Sequence, residues 1–170
     1  MNTMKTIRIE KLTLNIGAGK DQGKLDKGVK LLKSLTGITP VKTVSRKRIP
    51  TWGLRPGLPI GCKITLRGKK AEELLKQLLS AKENIIKPTQ VDATGNLAFG
   101  IHEYIDIPGI EYDPDIKIMG LEVCVTLERP GYRVKKRRTQ KAKIGTHHRI
   151  HKDEAINYFK EAFEVKVNED

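Results

Sequence analysis

Two short stretches of the chain alternate strictly between apolar and polar residues. In KLTLNIGAG, Leu12, Leu14 and Ile16 alternate with Lys11, Thr13 and Asn15; in IGCKITLRG, Ile60, Cys62, Ile64 and Leu66 alternate with Lys63, Thr65 and Arg67. A period of two sends neighbouring side chains to opposite sheet faces, so each stretch predicts a strand with one buried and one outward face. Ile7 and Ile9 are out of phase with Leu12, which predicts a bulge or break near Glu10–Lys11. VKTVSRKR, residues 41–48, predicts a further strand. The eleven residues IPTWGLRPGLP, with three Pro and two Gly, read as the loop of a long hairpin joining it to IGCKITLRG. GNLAFGI puts Leu97, Phe99 and Ile101 on one face and the small Asn96, Ala98 and Gly100 on the other, where another backbone has room to approach. KIMGLEVCVTLE turns Leu121, Val123, Val125 and Leu127 inward.

Three segments carry helical spacing. DQGKLDKGVKLLKSLTG repeats Leu25, Val29, Leu32 and Leu35, with Asp21 placed to cap its start and Gly37 to end it; Gly23 and Gly28 weaken it. KKAEELLKQLLSAKENII predicts a strong helix ended by Pro88, and HKDEAINYFKEAF a last one with Ala155, Ile156, Phe159, Ala162 and Phe163 as its stripe. The order β-α-β-β-α-β-β-α predicts an α+β, two-layer sandwich: a mixed β-sheet with helices on one face, in a single domain over residues 1–170. Lys11, Thr13, Asn15, Lys63, Thr65 and Arg67 then form an outward face suited to phosphates, sugar hydroxyls and base edges.

Charge sharpens this picture. The net charge is +13 and the blocks are segregated: residues 1–70 carry +14, residues 71–128 carry −7, residues 129–152 carry +10 and residues 153–170 carry −4. Two basic blocks point to a polyanion, and nucleic acid is the first candidate. The segment from Arg133 to Lys152 holds nine Lys and Arg and no acid. The whole basic arm, residues 129–149, is long, with almost no apolar anchor; such loops are functional or disordered, and a disordered arm orders on RNA. No run is long enough for a membrane span, MNTMKTIRIEKL lacks the apolar core of a signal peptide, and two cysteines make no disulfide framework, so a reducing cytosol is expected.

Motif tests exclude most chemistry. GAGKDQGK has five residues between Gly17 and Gly23, and Leu25 follows Lys24, so the Walker pattern fails; Gln22 breaks the dinucleotide pattern. His147, His148 and His151 lie in strongly positive surroundings that oppose a cation, and fit RNA phosphate contact or the start of the last helix better than a metal site. Glu111, Asp113 and Asp115 lack calcium-loop spacing and read as a solvated acidic loop. No nucleophile elbow is present. No catalytic residue, metal site or cofactor is expected. An RNA-acting enzyme therefore has no supporting constellation, and a DNA-binding or membrane-surface protein has the charge without a recognition helix. In the hairpin loop, Trp52 lies between Arg48 and Arg55. It stacks on a base or ribose, or it folds back to brace its own loop.

The segments KLTLNIGAG, LTGITPVKTVSRKR, GLPIGCKITLRG, GNLAFGIHEYIDIPGIEYD and MGLEVCVTL, in this order over roughly residues 7–127, resemble the universal 5S-rRNA-binding family of the large ribosomal subunit, ribosomal protein L-five. KKRRTQKAKIGTHHRI and HKDEAINYF are similar to its archaeal and eukaryotic branch. The resemblance implies a cytoplasmic, ribosomal location in the central protuberance and a structural role. It implies 5S rRNA on the sheet face, with Asn15 and Thr65 as contacts carried over by position, and P-site tRNA at the 48–60 loop (Arg48, Trp52, Arg55); the alternation adds Lys11, Thr13, Lys63 and Arg67 to the expected 5S rRNA face. From the ten cations without an acid in residues 129–152, rather than from the resemblance, the arm is expected to meet large-subunit rRNA or tRNA through Arg133, Lys135, Lys136, Arg137, Arg138, Lys141, Lys143 and Arg149. Further implied partners are other 5S-rRNA-binding ribosomal proteins and a small-subunit head protein at an intersubunit bridge. Where the family often carries Gln after the Gly that ends the first helix, this chain has Ile38.

Overall fold

The computed structural model describes residues 2–168; Met1, Glu169 and Asp170, the ends of the expected 1–170 span, lie outside them. The main elements are β1 (Arg8–Gly17), α1 (Gln22–Thr36), β2 (Val41–Val44), β3 (Pro59–Leu66), α2 (Lys69–Ser80), β4 (Ile85–Ile86), β5 (Leu97–Ile101), β6 (Leu121–Glu128), α3 (Arg133–Lys136), α4 (Lys152–Phe163) and β7 (Lys166–Val167). This is an α+β fold. Five strands join in the order β2-β3-β1-β6-β5 with antiparallel pairing, and the parallel pair stands apart as the two-stranded sheet β4-β7.

The chain divides into two compact units. One comprises residues 1–12, 67–98 and 124–170, the other residues 13–66 and 99–123. In the second unit, Leu14, Ile16, Cys62 and Ile64 are buried, and α1 lies over them. Asp21 accepts a hydrogen bond from the Lys24 amide at 3.1 Å, and Gly37 closes the helix in the left-handed region at φ 69°. The buried stripe is Leu25, Gly28, Leu31 and Leu32, rotated from the expected Leu25, Val29, Leu32 and Leu35. The cause is Gly28: a Cβ there would lie 3.2 Å from both Cys62 Sγ and Ile16 Cγ2. That glycine lets the helix settle closer to the strands than its propensity cost alone suggested. β2 is also shorter than expected. Its register shifts between Thr43 and Val44, and the buried Ser45 hydroxyl donates to Lys47 O at 2.7 Å, turning the chain out of the strand.

In the first unit, α2 buries Ala71, Leu74, Leu75, Leu78 and Leu79. It ends at Ser80, short of the expected end at Ile86. Glu83 and Asn84 turn into the left-handed region at φ 57° and 56°, and Ile85–Ile86 pair instead with Lys166–Val167. The apolar dipeptide that looked like a last helical turn is a strand. α4 buries Ala155 and Phe159 while Ala162 is exposed, so its stripe is narrower than expected. Before β5, the Asp92 carboxylate accepts from the Thr94 and Asn96 amides, both at 2.8 Å, and Gly95 adopts φ 80° with Ile150 and Ala155 close against it.

Candidate nucleic-acid interface

The strand alternation is realised residue by residue. In β1, Leu12, Leu14 and Ile16 are buried while Lys11, Thr13 and Asn15 are half-exposed; in β3, Cys62, Ile64 and Leu66 are buried while Lys63 and Thr65 are exposed, as is Arg67 just beyond. The inward phase breaks between Ile9 and Leu12, where Glu10 and Lys11 are both half-exposed, at the expected place. Thr13, Asn15, Lys63 and Thr65 belong to the second unit, Lys11 and Arg67 to the first. This outward face is less purely basic than expected. In the second unit the Asn15 amide donates to Glu122 Oε2 at 3.0 Å; in the first unit Glu10 and Glu128 carry two more carboxylates. Glu122 and Glu128 stand in the polar phase of LEVCVTLE, so the signal for them was present in the alternation itself.

The hairpin loop is ordered by its own backbone. Ser45 N donates to Leu58 O at 2.8 Å, Gly57 N to Ser45 O at 2.9 Å, and Ile49 and Leu54 exchange two bonds of 3.0 Å. Pro50–Trp52 form one 3-10 turn closed by Gly53 at φ 66°. Leu54, 6% exposed, braces the loop; Trp52 is 67% exposed. The bracing role weighed for Trp52 therefore falls to Leu54. Arg48 and Arg55 stand exposed beside it.

The basic arm is folded rather than trailing. Arg129 is buried, donates to Arg149 O at 3.2 Å and pairs with Glu154 at 2.8 Å. The Tyr132 hydroxyl donates to His148 O at 3.2 Å and accepts from Ile150 N at 3.1 Å. Lys136, on the short α3, reaches Glu10 at 2.7 Å and Glu128 at 2.8 Å, and Arg8 also pairs with Glu128 at 2.8 Å. Partial burial alone would raise the Glu128 carboxyl, but Lys136 and Arg8 outweigh it and hold it below its ordinary value. For Lys136 burial pulls downward, and Glu10 and Glu128 outweigh it to raise the ammonium. The anchors that the arm seemed to lack are Tyr132, the buried Arg129 and, just beyond its end, Ile150. Arg133, Lys135, Arg138, Lys141 and Lys143 are exposed and make no side-chain bond among the described residues; Arg137 donates to Gln140 O at 2.7 Å, and Arg149 to Ile144 O at 3.2 Å.

Residues 2–55 match the family described as Ribosomal protein L5, and residues 59–158 match the description of the C-terminus of that same ribosomal family. Large ribosomal subunit protein uL5 of Nanoarchaeum equitans is 52% identical over 165 residues, covering 96% of this chain and 97% of that protein. The proteins of the same name from Methanobrevibacter smithii and Sulfurisphaera tokodaii are 48% and 47% identical, covering 97% and 99% of this chain and 97% and 96% of theirs. The chain belongs to the ribosomal protein L5 family. It is a structural constituent of the large subunit of the cytoplasmic ribosome and not an enzyme.

Several features of this L5-family chain that looked like ligand sites are occupied by the protein itself. In GAGKDQGK the Ala18 and Gly19 amides both donate to Ile60 O, at 2.9 and 3.0 Å, so the turn does not offer them to a phosphate. His148 Nε2 lies 2.8 Å from Pro130 O and His151 caps α4, its amide donating to Glu154 at 3.1 Å. Asp113 and Asp115 both hold Lys30, at 2.8 Å, raising its ammonium to about 12; the acidic loop is thus tied to α1 rather than simply solvated. Among the described residues no group of three or more His, Cys, Asp or Glu is arranged to hold a metal, and no helix is long and apolar enough to cross a membrane.

Proposed function

We propose that this L5-family chain binds 5S rRNA through the outward side chains of β1 and β3 and presents the 48–60 loop to tRNA in the P site. In this reading it sits in the central protuberance beside other 5S-rRNA-binding proteins. The basic arm holds large-subunit rRNA, and the protein contributes to a bridge with a small-subunit head protein. The relatives' name, Large ribosomal subunit protein uL5, supports the assembly. The observation that carries the RNA reading is the pair of alternating strands: buried aliphatics on one phase, and Thr13, Asn15, Lys63 and Thr65 available on the other. Short hydroxyl and amide groups beside cations fit phosphates, ribose hydroxyls and base edges. The exposed Trp52 beside Arg48 and Arg55 supports stacking on an unpaired base or ribose.

The test is 5S-rRNA affinity across a salt series, with duplex DNA and unrelated RNA as competitors. Wild type is run beside Asn15→Ala, Thr65→Ala and Lys63→Ala. Selective binding weakened by all three is expected, each costing about 1–2 kcal/mol as lost contacts to RNA. Binding indifferent to the competitor and to all three changes sinks the assignment.

A further inference from the structure

In the first unit the folded arm leaves a cleft of about 900 Å³ against the outward side of β1 and β6. Besides Lys136, its cations are Lys11 from β1, Lys135, Lys141 and Lys143 from the arm, and Arg149. Among the described residues the four lysines have no ion pair or side-chain hydrogen bond, and Arg149 uses Nε alone, on Ile144 O. The carboxylate in the cleft, Glu10, is already paired with Lys136. The apolar wall that solvent reaches is Ala142, Ile144 and Tyr132, with Leu127 and Ile150 buried behind it. The Thr126 hydroxyl and Asn96 also line it, the Asn96 amide nitrogen being held by Asp92 and Thr94 so that its oxygen is left to accept.

We propose that this cleft seats a short unpaired stretch of RNA, its phosphates on the four lysines and its bases against the apolar wall. The inference rests on the reading that this chain binds ribosomal RNA and names the form of RNA that the arm takes. A duplex shows phosphates on a broad convex surface, with its bases stacked inside. The cleft offers a volume in the range of small-ligand pockets, about 300–1,000 Å³, and a nonpolar wall that a stacked base pair cannot reach. A single strand carries both things that the cleft recognises, charge along its backbone and an exposed base face. The Thr126 hydroxyl and the Asn96 oxygen are placed to meet a ribose 2′-hydroxyl.

The experiment measures binding of the full chain to a fluorescent single-stranded RNA hexamer and to an RNA hairpin duplex of equal charge. Two variants test the site. Lys135→Ala/Lys141→Ala/Lys143→Ala removes charge; Ala142→Leu keeps every charge and narrows the cleft from an exposed position without adding a ring on which a base could stack. Each variant is expected to lose at least tenfold of hexamer affinity. The triple variant should flatten the log–log salt slope by about 2, roughly 0.7 for each of three phosphates. The duplex should bind at least tenfold more weakly than the hexamer. Wild-type hexamer affinity in Ala142→Leu, or equal affinity for the duplex, overturns the proposal and reduces the arm to diffuse charge. 5S rRNA is titrated against the same proteins with Asn15→Ala and Thr65→Ala as the separate control. If those leave 5S binding unchanged while both cleft variants lose the hexamer, the sheet-face reading fails and the cleft stands. If they weaken it while the cleft variants bind the hexamer normally, the cleft fails alone.

Discussion

At the scale of single residues, two positions show how closely the strands constrain what the outward face presents. A Cβ on Gly61 would fall 2.7 Å from Ile16 O, a backbone atom that cannot swing aside, and 3.1 Å from Thr43 Oγ1. Gly61→Ala should therefore part β3 from β1 and cost about 2–3 kcal/mol, at the severe end of overpacking. Denaturant unfolding checks it; a loss below about 0.5 kcal/mol, the range of indifferent surface changes, contradicts it. The second position is Glu122. Its carboxylate holds the Asn15 amide at 3.0 Å but also puts a negative charge beside a residue assigned to RNA. Glu122→Gln keeps an acceptor for Asn15 and removes the charge. RNA affinity should rise about threefold to tenfold at low salt, with the gain shrinking as salt screens it. Unchanged affinity would mean that RNA does not approach this part of β1.

At the scale of elements, the arm behaves as a docked element with a defined clasp. Glu10 and Glu128 have side chains only 15% exposed, so removing Lys136 leaves two half-buried carboxylates, although Arg8 still serves Glu128. Lys136→Met should loosen the arm by about 1–2 kcal/mol, above a surface pair and below a fully buried one. Exchange of the Ala142 amide, bonded to Val134 O, reports this. The pH dependence follows in sign from the clasp. The lowered Glu128 contributes stability that is full above its ordinary 4.5 and is lost as pH falls through the lowered value; the raised Lys136 contributes below 10.5 and loses it as pH rises through the raised value. Ala142 exchange, corrected for its intrinsic rate, should be flat from about pH 5 to 10 and accelerate below about pH 4. Acceleration already at pH 6 would place the clasp elsewhere.

The arm also marks where legibility ended. Strand alternation, the caps Asp21 and Gly37, and the outward Thr13, Asn15, Lys63 and Thr65 were readable because each depends on near neighbours in sequence. The arm's docking depends on Glu10 meeting Lys136 and Arg129 meeting Glu154, contacts whose chain separation leaves no periodic trace. Local composition showed only cations without acids. The same holds for Ile85–Ile86, whose partner strand lies at the far end of the chain, and for Gly28, whose role is set by Cys62 and Ile16 beneath it rather than by helix propensity.

At the scale of the whole molecule, a net charge of +13 must be reconciled with selectivity. Charge alone draws any polyanion, and its effect on affinity falls steeply with salt. Exposed cations assigned to RNA include Lys63 on β3, Arg48 and Arg55 in the loop, and Lys135, Lys141 and Lys143 on the arm. If these sets touch different phosphates of one ribosomal RNA, their losses should add, because no described bond links them. Take Lys63→Ala, Lys135→Ala/Lys141→Ala/Lys143→Ala and the combined four-site variant against 5S rRNA joined to its large-subunit rRNA neighbour. The combined loss should equal the two separate losses within about 0.5 kcal/mol. The salt slope should fall by about 0.7–0.9 per lysine removed. A combined loss much smaller than additive would show one shared phosphate cluster serving both surfaces. A slope that does not change in either variant would show that these cations face solvent in the complex, and that the protein's basic excess serves encounter with RNA rather than contact.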